Sequence, residues 1–304
     1  MNNIPSQQAV PQQGYQCRWC GKVSDPHNTS CPSCGSPVDV TTLVSDSGWY
    51  ELPAIKDMAR IQLGRSSCQI EGVLTPVADV NLAAGEGVYF THHILLWKDS
   101  QVQIAAMSLK GAWKRLFAGM PLIMTEAHGP GHIAFSRDEP GEMIALPLNP
   151  GQMVDVREGV FMVATANVAY DWFPTNIWFQ TRNGDDTETI YPVGMYMDRF
   201  GAGAAPGLLL LHGAGNVFVR QLSAGQTILV KPTALLYKDP TVQMNLHIEH
   251  PGNTWRSWRT WGERYLWLRL TGPGRVGVQS AFTHMEDSGY SLSNASYGTT
   301  RWQW

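Results

Sequence analysis

Residues 222–244 read LSAGQTILVKPTALLYKDPTVQM: a leucine, two small residues, Gly225, a polar residue, a β-prone run, a turn and a second apolar run. Residues 82–104, LAAGEGVYFTHHILLWKDSQVQI, and 148–170, LNPGQMVDVREGVFMVATANVAY, repeat that form, with Gly85 and Gly151 in the place of Gly225. Short apolar runs bounded by turn residues are the mark of strands, and glycine supplies the left-handed conformation a tight turn needs. Three copies at a period of roughly 70 residues predict one β unit built three times.

A glycine-centred element accompanies the copies: MPLIMTEAHGPGHIAFS (120–136), GLLLLHGAGNVFVRQ (207–221) and YLWLRLTGPGRVGVQS (265–280). Its turns, Gly129-Pro130-Gly131, Gly213-Ala214-Gly215 and Gly272-Pro273-Gly274, are expected to join adjacent strands as hairpins. Two of these elements precede a copy, whereas only the weaker match SSCQIEGVLTPVADV (66–80) precedes the first. The last element is therefore expected to return and complete the unit begun by residues 65–107, giving three lobes about an internal pseudo-threefold axis. A small sheet with one apolar face cannot bury that face alone, so three copies would share a core and cover each other's edges.

Strands are expected at 68–74, 87–93, 102–107, 122–126, 131–135, 143–147, 152–156, 160–164 and 177–181. In the second half they are expected at 207–212, 216–221, 227–230, 242–248, 265–270 and 274–280. Only 110–117 reads as a helix, and a short one. Composition agrees: of 304 residues 43% are hydrophobic and only 15% charged, with 30 Gly and 19 Pro, which leans away from helices with charged wet faces.

The net charge of -3 offers no broad attraction to nucleic acid or anionic membrane. The opening MNNIPSQQAVPQQG lacks the basic start and apolar core of a secretory signal and reads as a flexible tail. No run of about 18 apolar residues suggests a spanning helix, so a cytoplasmic location is expected.

Residues 17–34 hold two C-x-x-C pairs, Cys17/Cys20 and Cys31/Cys34, each followed by glycine. Such turns aim both sulfurs at one point, and two of them facing each other make a closed tetrahedral thiolate site suited to structural Zn²⁺. Two disulfides or an iron centre are the alternatives. So short a segment buries little, and metal binding would supply most of its folding free energy. The fifth cysteine, Cys68, reads as a small buried strand residue.

Residues 17–38 resemble a zinc ribbon, a module that docks proteins or nucleic acid or caps a neighbour. Residues 60–285 resemble the AIM24 family, on the strength of GMPLIMTEAHGPGHIAFS, LNPGQMVDVREGVFMVAT, GLLLLHGAGNVFVRQLSAGQTILV and TGPGRVGVQS. The resemblance implies an all-β fold of repeated β-sandwich units in pseudo-threefold arrangement, similar to the tryptophan RNA-binding attenuation protein. About activity it implies little, and a shared fold does not fix function. The organisation expected is a tail (1–14), a zinc ribbon (15–38), a linker (39–58), an AIM24-like β domain (59–287) and a C-terminal tail (288–304).

Catalytic signals are weak. His92 and His93 are expected on opposite faces of one strand, His128 and His132 flank a turn, and His247 and His250 are spaced for a metal only if held in a turn. None adjoins an acid that would orient a base. Glu86, Glu142 and Gln226 fall near one repeat position, which the scaffold explains. In NTWRSWRTWGERYLW (253–267), Trp255, Trp258 and Trp261 alternate with Arg256 and Arg259, and Trp19 tips the ribbon. These residues suit contact with a protein surface, or stacking on single-stranded nucleic acid, or an arm packed over the core. The expectation is a non-enzymatic interaction or scaffold protein with a zinc ribbon for docking, acting on a protein partner or on itself. Alternatives are an RNA or single-strand binding module and an enzyme with an unidentified pocket.

Overall fold

The structure is a computed structural model, and it describes residues 60–107, 124–183, 186–249 and 265–283, with 15–16, 22–25, 28, 30–33, 49–51 and 296–299. Two compact units divide the chain, Met1–Pro53 and Ala54–Trp304. In the first, β1 (Tyr15–Gln16) and β2 (Val23–Ser24) pair antiparallel, Tyr15 opposite Ser24, and β3 (Tyr50–Glu51) follows. The helix expected at 110–117 lies outside the described residues.

The second unit is all-β. Its strands are β4 (Arg60–Leu63), β5 (Ser66–Glu71), β6 (Val77–Leu82), β7 (Gly87–Thr91), β8 (Leu95–Lys98), β9 (Gln103–Ala106), β10 (Met124–His128) and β11 (Gly131–Ser136). Next come β12 (Gly141–Leu148), β13 (Met153–Arg157), β14 (Phe161–Thr165), β15 (Val168–Pro174), β16 (Ile177–Asn183), β17 (Asp186–Ile190), β18 (Tyr196–Ala202) and β19 (Gly207–Ala214). Last are β20 (Val217–Leu222), β21 (Thr227–Val230), β22 (Leu235–Lys238), β23 (Gln243–Glu249), β24 (Tyr265–Thr271), β25 (Gly274–Gln279) and β26 (Ser296–Thr299). They form antiparallel sheets in the orders β12-β19-β14-β7-β10-β9, β15-β18-β13-β22-β25-β20, β4-β5-β6-β11-β8, β21-β24-β23 and β17-β16-β26.

One pairing scheme recurs three times. The leucine that opens each sequence copy ends a strand and lies opposite the first glycine of a later one: Leu82 with Gly131, Leu148 with Gly207, Leu222 with Gly274. The turn after each leucine closes alike, the amides of Glu86, Gln152 and Gln226 donating to the carbonyls of Ala83, Asn149 and Ser223 at 3.1, 2.9 and 3.0 Å. Gln152, not Glu142, is thus the third member of the set. Glu142 instead accepts from the Val217 amide at 2.8 Å, where the chain passes into β20.

Two expectations are overturned. The element at 265–280 does not return to residues 65–107: β24 pairs with β21 and β23, and β25 with β20 and β22, so it closes the copy that precedes it. Likewise β10 and β11 close the copy at Leu82. Nor are the glycine turns hairpins. β10 and β11 lie in different sheets, as do β24 and β25, and the chain crosses from one sheet to the other at Gly129-Pro130-Gly131 and Gly272-Pro273-Gly274. Close approach demands the glycines there: a Cβ on Gly129 would stand 2.6 Å from the Ala83 carbonyl oxygen, and one on Gly272 would stand 2.4 Å from that of Ser223. In the middle unit the equivalent crossing, between β18 and β19, runs through 203–206, so Gly213-Ala214-Gly215 is a link between units.

The core forms where the sheets face each other. Phe90, Ile94, Ile133, Phe135, Met162 and Leu210 belong to one buried cluster that spans β5 to β19. Cys68 joins it as expected, fully buried, and its thiol is pushed up to about 12 by burial first and the nearby Asp79 second, which keeps it protonated and unreactive.

Candidate interaction surface

Each unit contains a strand carrying the same bulge. Pairing with β11 slips between Leu95 and Trp97, with β25 between Leu235 and Tyr237, and with β19 between Phe161 and Val163. A bulge leaves one residue unpaired and bends the strand, which re-aims its outer edge. In two units that edge is covered by the first strand of a neighbouring unit: β14 by β7, with Val163 opposite Phe90, and β22 by β13, with Tyr237 opposite Val156. Met162, Val163, Leu236 and Tyr237 are accordingly at most 2% exposed. In the remaining unit β8 ends its sheet, and Leu96 and Trp97 are 52% and 50% exposed. β21, the equivalent of β7 and β13, also ends its sheet, with Leu229 exposed. Among the described residues, β8 and β21 thus each leave one edge without a strand partner.

The junction of β13 with β22 is ionic. A cross-strand row runs Asp171, Arg199, Asp155, Lys238 over β15, β18, β13 and β22. Asp155, with no exposed surface, accepts from Lys238 Nζ at 2.8 Å and from Arg199 Nε and Nη2 at 2.6 and 3.0 Å. Arg199 also lies 4.5 Å from the centre of the Phe173 ring. Its pKa is raised chiefly by the hydrogen bond to Asp155. Opposite charges placed directly across strands attract, and here they select the pairing of these two strands.

Comparison with known proteins supports this architecture. A model of the family described as "Mitochondrial biogenesis AIM24" matches residues 68–281. The chain belongs to the AIM24 family. Its fold is similar to that in an X-ray crystal structure of a Streptococcus pyogenes protein, at 18% identity and a TM-score of 0.52, over 74% of this chain and 97% of that one. No curated protein matches it.

Among the described residues the histidines of the AIM24 segment stand at separate places in the fold. His92 and His93 sit in a 3-10 turn after β7, not on the expected strand, and both face solvent. His128 lies 3.5 Å from Glu126, and His132 Nδ1 lies 3.0 Å from Asp79, each half-exposed on its own strand. His247 stands opposite Trp267 on β23, while His250 lies outside the described residues. Among the described residues no three His, Cys, Asp or Glu side chains group to hold a metal. Cys31 is buried, whereas Cys17, Cys20 and Cys34 lie outside the described residues, as do Trp19, Trp255, Arg256, Trp258, Arg259 and Trp261.

Among the described residues His212 is the buried histidine. Its Nε2 lies 3.2 Å from the Glu139 carbonyl oxygen, a contact only an N–H satisfies, and its pKa is lowered, by burial first and by Arg137 next. As pH falls through the ordinary value of 6.5 the unfolded imidazole takes up a proton while the folded one does not, so the unfolded state binds more protons and stability falls. Above that pH both forms are neutral and the effect vanishes. Denaturant midpoints measured at about pH 7.5 and 5.5 should show this loss, reduced in His212→Gln.

Sequence reading missed Leu96, Trp97 and Leu229 as surface residues, and Asp155, Arg199 and Lys238 as a group. A signal existed for the second set: Asp155 is a lone acid between Val154 and Val156 in a copy whose counterparts carry Tyr89 and Leu229 at that place.

Proposed function

We propose that this AIM24-family chain is a non-enzymatic interaction or scaffold protein that docks protein through the bare edges of β8 and β21. The observation that carries the reading is the contrast among the three bulged strands, two of them covered and one with Leu96 and Trp97 half in solvent. A strand edge offers unpaired amides and carbonyls to an incoming strand, and flanking apolar side chains add burial to that pairing. The shared register of the three units supports an arrangement about a pseudo-threefold axis, as in the tryptophan RNA-binding attenuation protein fold. Tagged wild-type protein and the pair Trp97→Glu/Leu229→Glu should differ in the proteins they retain. Identical retention, with both proteins folded, would remove the edges from the docking role.

The same reading places a structural zinc knuckle at Cys17, Cys20, Cys31 and Cys34. Its support is the donor set and the pairing of β1 with β2, which brackets the first C-x-x-C. Purified protein is expected to carry about one zinc per chain and to lose it in Cys17→Ser/Cys20→Ser, by metal analysis. Folded protein without bound metal would end that part of the proposal.

A second reading, single-strand nucleic-acid binding, has one observation in its favour. On β24, Tyr265 and Trp267 run nearly parallel with ring centres 6.1 Å apart, and Lys231 Nζ lies 5.5 and 5.1 Å from them. Aromatic rings beside cations stack bases and attract phosphates. Glu249, bonded to the Trp267 indole at 2.7 Å, and the net charge of -3 oppose it. Filter binding at about 50 mM salt decides, since no retention there would exclude it.

A further inference from the structure

We propose that Arg137 and Arg157, with His212 beside them, form an anion site that takes a phosphate group, either the free ion or the phosphate of a small phosphomonoester. The site is independent of the docking reading above.

The three side chains gather at the turn between β13 and β14. Arg137 follows β11, and its Nη1 donates to the Gly159 carbonyl oxygen, while Arg157 ends β13 and donates from Nη1 to the Thr233 carbonyl oxygen. His212 reaches the same turn from β19, its amide donating to the Val160 carbonyl at 3.0 Å. Proximity also shows in the charges: the pKa of Arg157 is lowered by burial first and by Arg137 next, and Arg137 acts in the same sense on His212.

Positive charge is in excess here. A guanidinium stays ionised at neutral pH, and a half-buried one is costly to hold without a counter-ion. Backbone carbonyls satisfy single N–H groups of the two arginines but cancel no charge. Glu139 stands 3.3 Å from Arg137 Nε, on a side chain 61% exposed. Among the described residues no carboxylate pairs with Arg157, and Asp138 and Glu158, neighbours of the two arginines in the chain, are exposed. Two guanidiniums thus share one carboxylate that lies towards solvent.

The scaffold does not require either arginine. The place of Arg157 in its copy is held by Thr91 and Lys231 in the other two, and the place of Arg137, directly after Ser136, is held by Gly213 after His212 and Ser280 after Gln279. A phosphate group suits what the pair offers. Its oxygens accept the parallel N–H groups of a planar guanidinium fork, its negative charge offsets the excess, and Arg157 spends only one N–H on protein.

The test is calorimetric titration of inorganic phosphate, and separately of glycerol 3-phosphate, into the full chain at fixed ionic strength. Wild-type protein is expected to bind at least one of them with a Kd of about 1 mM or tighter. Arg157→Gln and Arg137→Gln, each checked by circular dichroism, should raise that Kd at least about 10-fold, and Arg157→Lys should raise it less, since lysine keeps the charge but loses the fork. Arg137 is the more dispensable to the fold, so its variant carries the test if Arg157→Gln does not fold. Tighter binding of glycerol 3-phosphate assigns the site to a phosphomonoester, and binding of inorganic phosphate as tight or tighter assigns it to the free ion. A Kd weaker than about 10 mM for both probes would mean an adventitious ion only and would overturn the inference. Binding that neither glutamine substitution alters would overturn it too, by placing the anion elsewhere.

Discussion

Asp155→Ala is expected to cost about 3–5 kcal/mol of folding stability, because it strips the counter-ion from a buried ammonium. Lys238 is 5% exposed, and its Nζ would keep the Asp239 carbonyl at 3.5 Å in place of a carboxylate at 2.8 Å. Arg199, a third exposed, can turn to water and suffers less. A midpoint fall of about 10 °C should accompany the loss. Replacing both partners, Asp155→Leu with Lys238→Met, should recover most of it, since an apolar pair of similar volume needs no desolvation of charge. Urea unfolding of the three proteins tests this. A single-variant cost below about 1 kcal/mol would mean that water already reaches the pair, and the ionic junction between β13 and β22 would lose its role in selecting strands.

Phe200→Ala should be as damaging, at about 3–5 kcal/mol, through a cavity the interior cannot refill. Phe200, on β18, has no exposed surface and stacks on Phe161 of β14 at 4.6 Å between ring centres; Tyr170 packs on it at 5.3 Å, and Tyr89 lies 5.7 Å beyond Phe161. The four rings bridge two sheets, β7 and β14 on one side and β15 and β18 on the other. Loss of the central ring removes both its burial and its contacts with two neighbours. Phe200→Leu should cost less, filling part of the space. Equal costs for alanine and leucine would show that ring stacking, and not volume, holds the sheets together. A negligible cost for either would deny Phe200 its place in the core.

Local pattern made several elements legible. The Leu-x-x-Gly turns, the strands that follow them and the burial of Cys68 were all readable, because turn chemistry and short apolar runs act within a few residues. Other strands were harder to read, for physical reasons. β8 and β22, LLWK and LLYK, read as the second run of their copies but without bounds, because their bulge destroys alternation and with it the period-two signal. β18, YMDRFGA, places Asp198 and Arg199 mid-strand, and charge there reads as loop until a partner such as Asp155 is seen beside it. β26 falls in a segment read as tail, and pairs with β16 across more than a hundred residues of chain.

The sequence alone determined that this is a β protein of the AIM24 kind in which one leucine–glycine turn recurs three times, since leucine, glycine and apolar runs at fixed offsets are local constraints repeated in the chain. Only the tertiary structure decided which element closes which unit, which glycines are crossings between sheets, and that one bulged strand ends its sheet, among the described residues, with Leu96 and Trp97 exposed while its two equivalents are paired on both sides. Those outcomes depend on contacts between residues far apart in sequence, where identical local patterns meet different neighbours: Tyr89 at one junction, the Asp155–Lys238 pair at another, and solvent at the edge of Trp97.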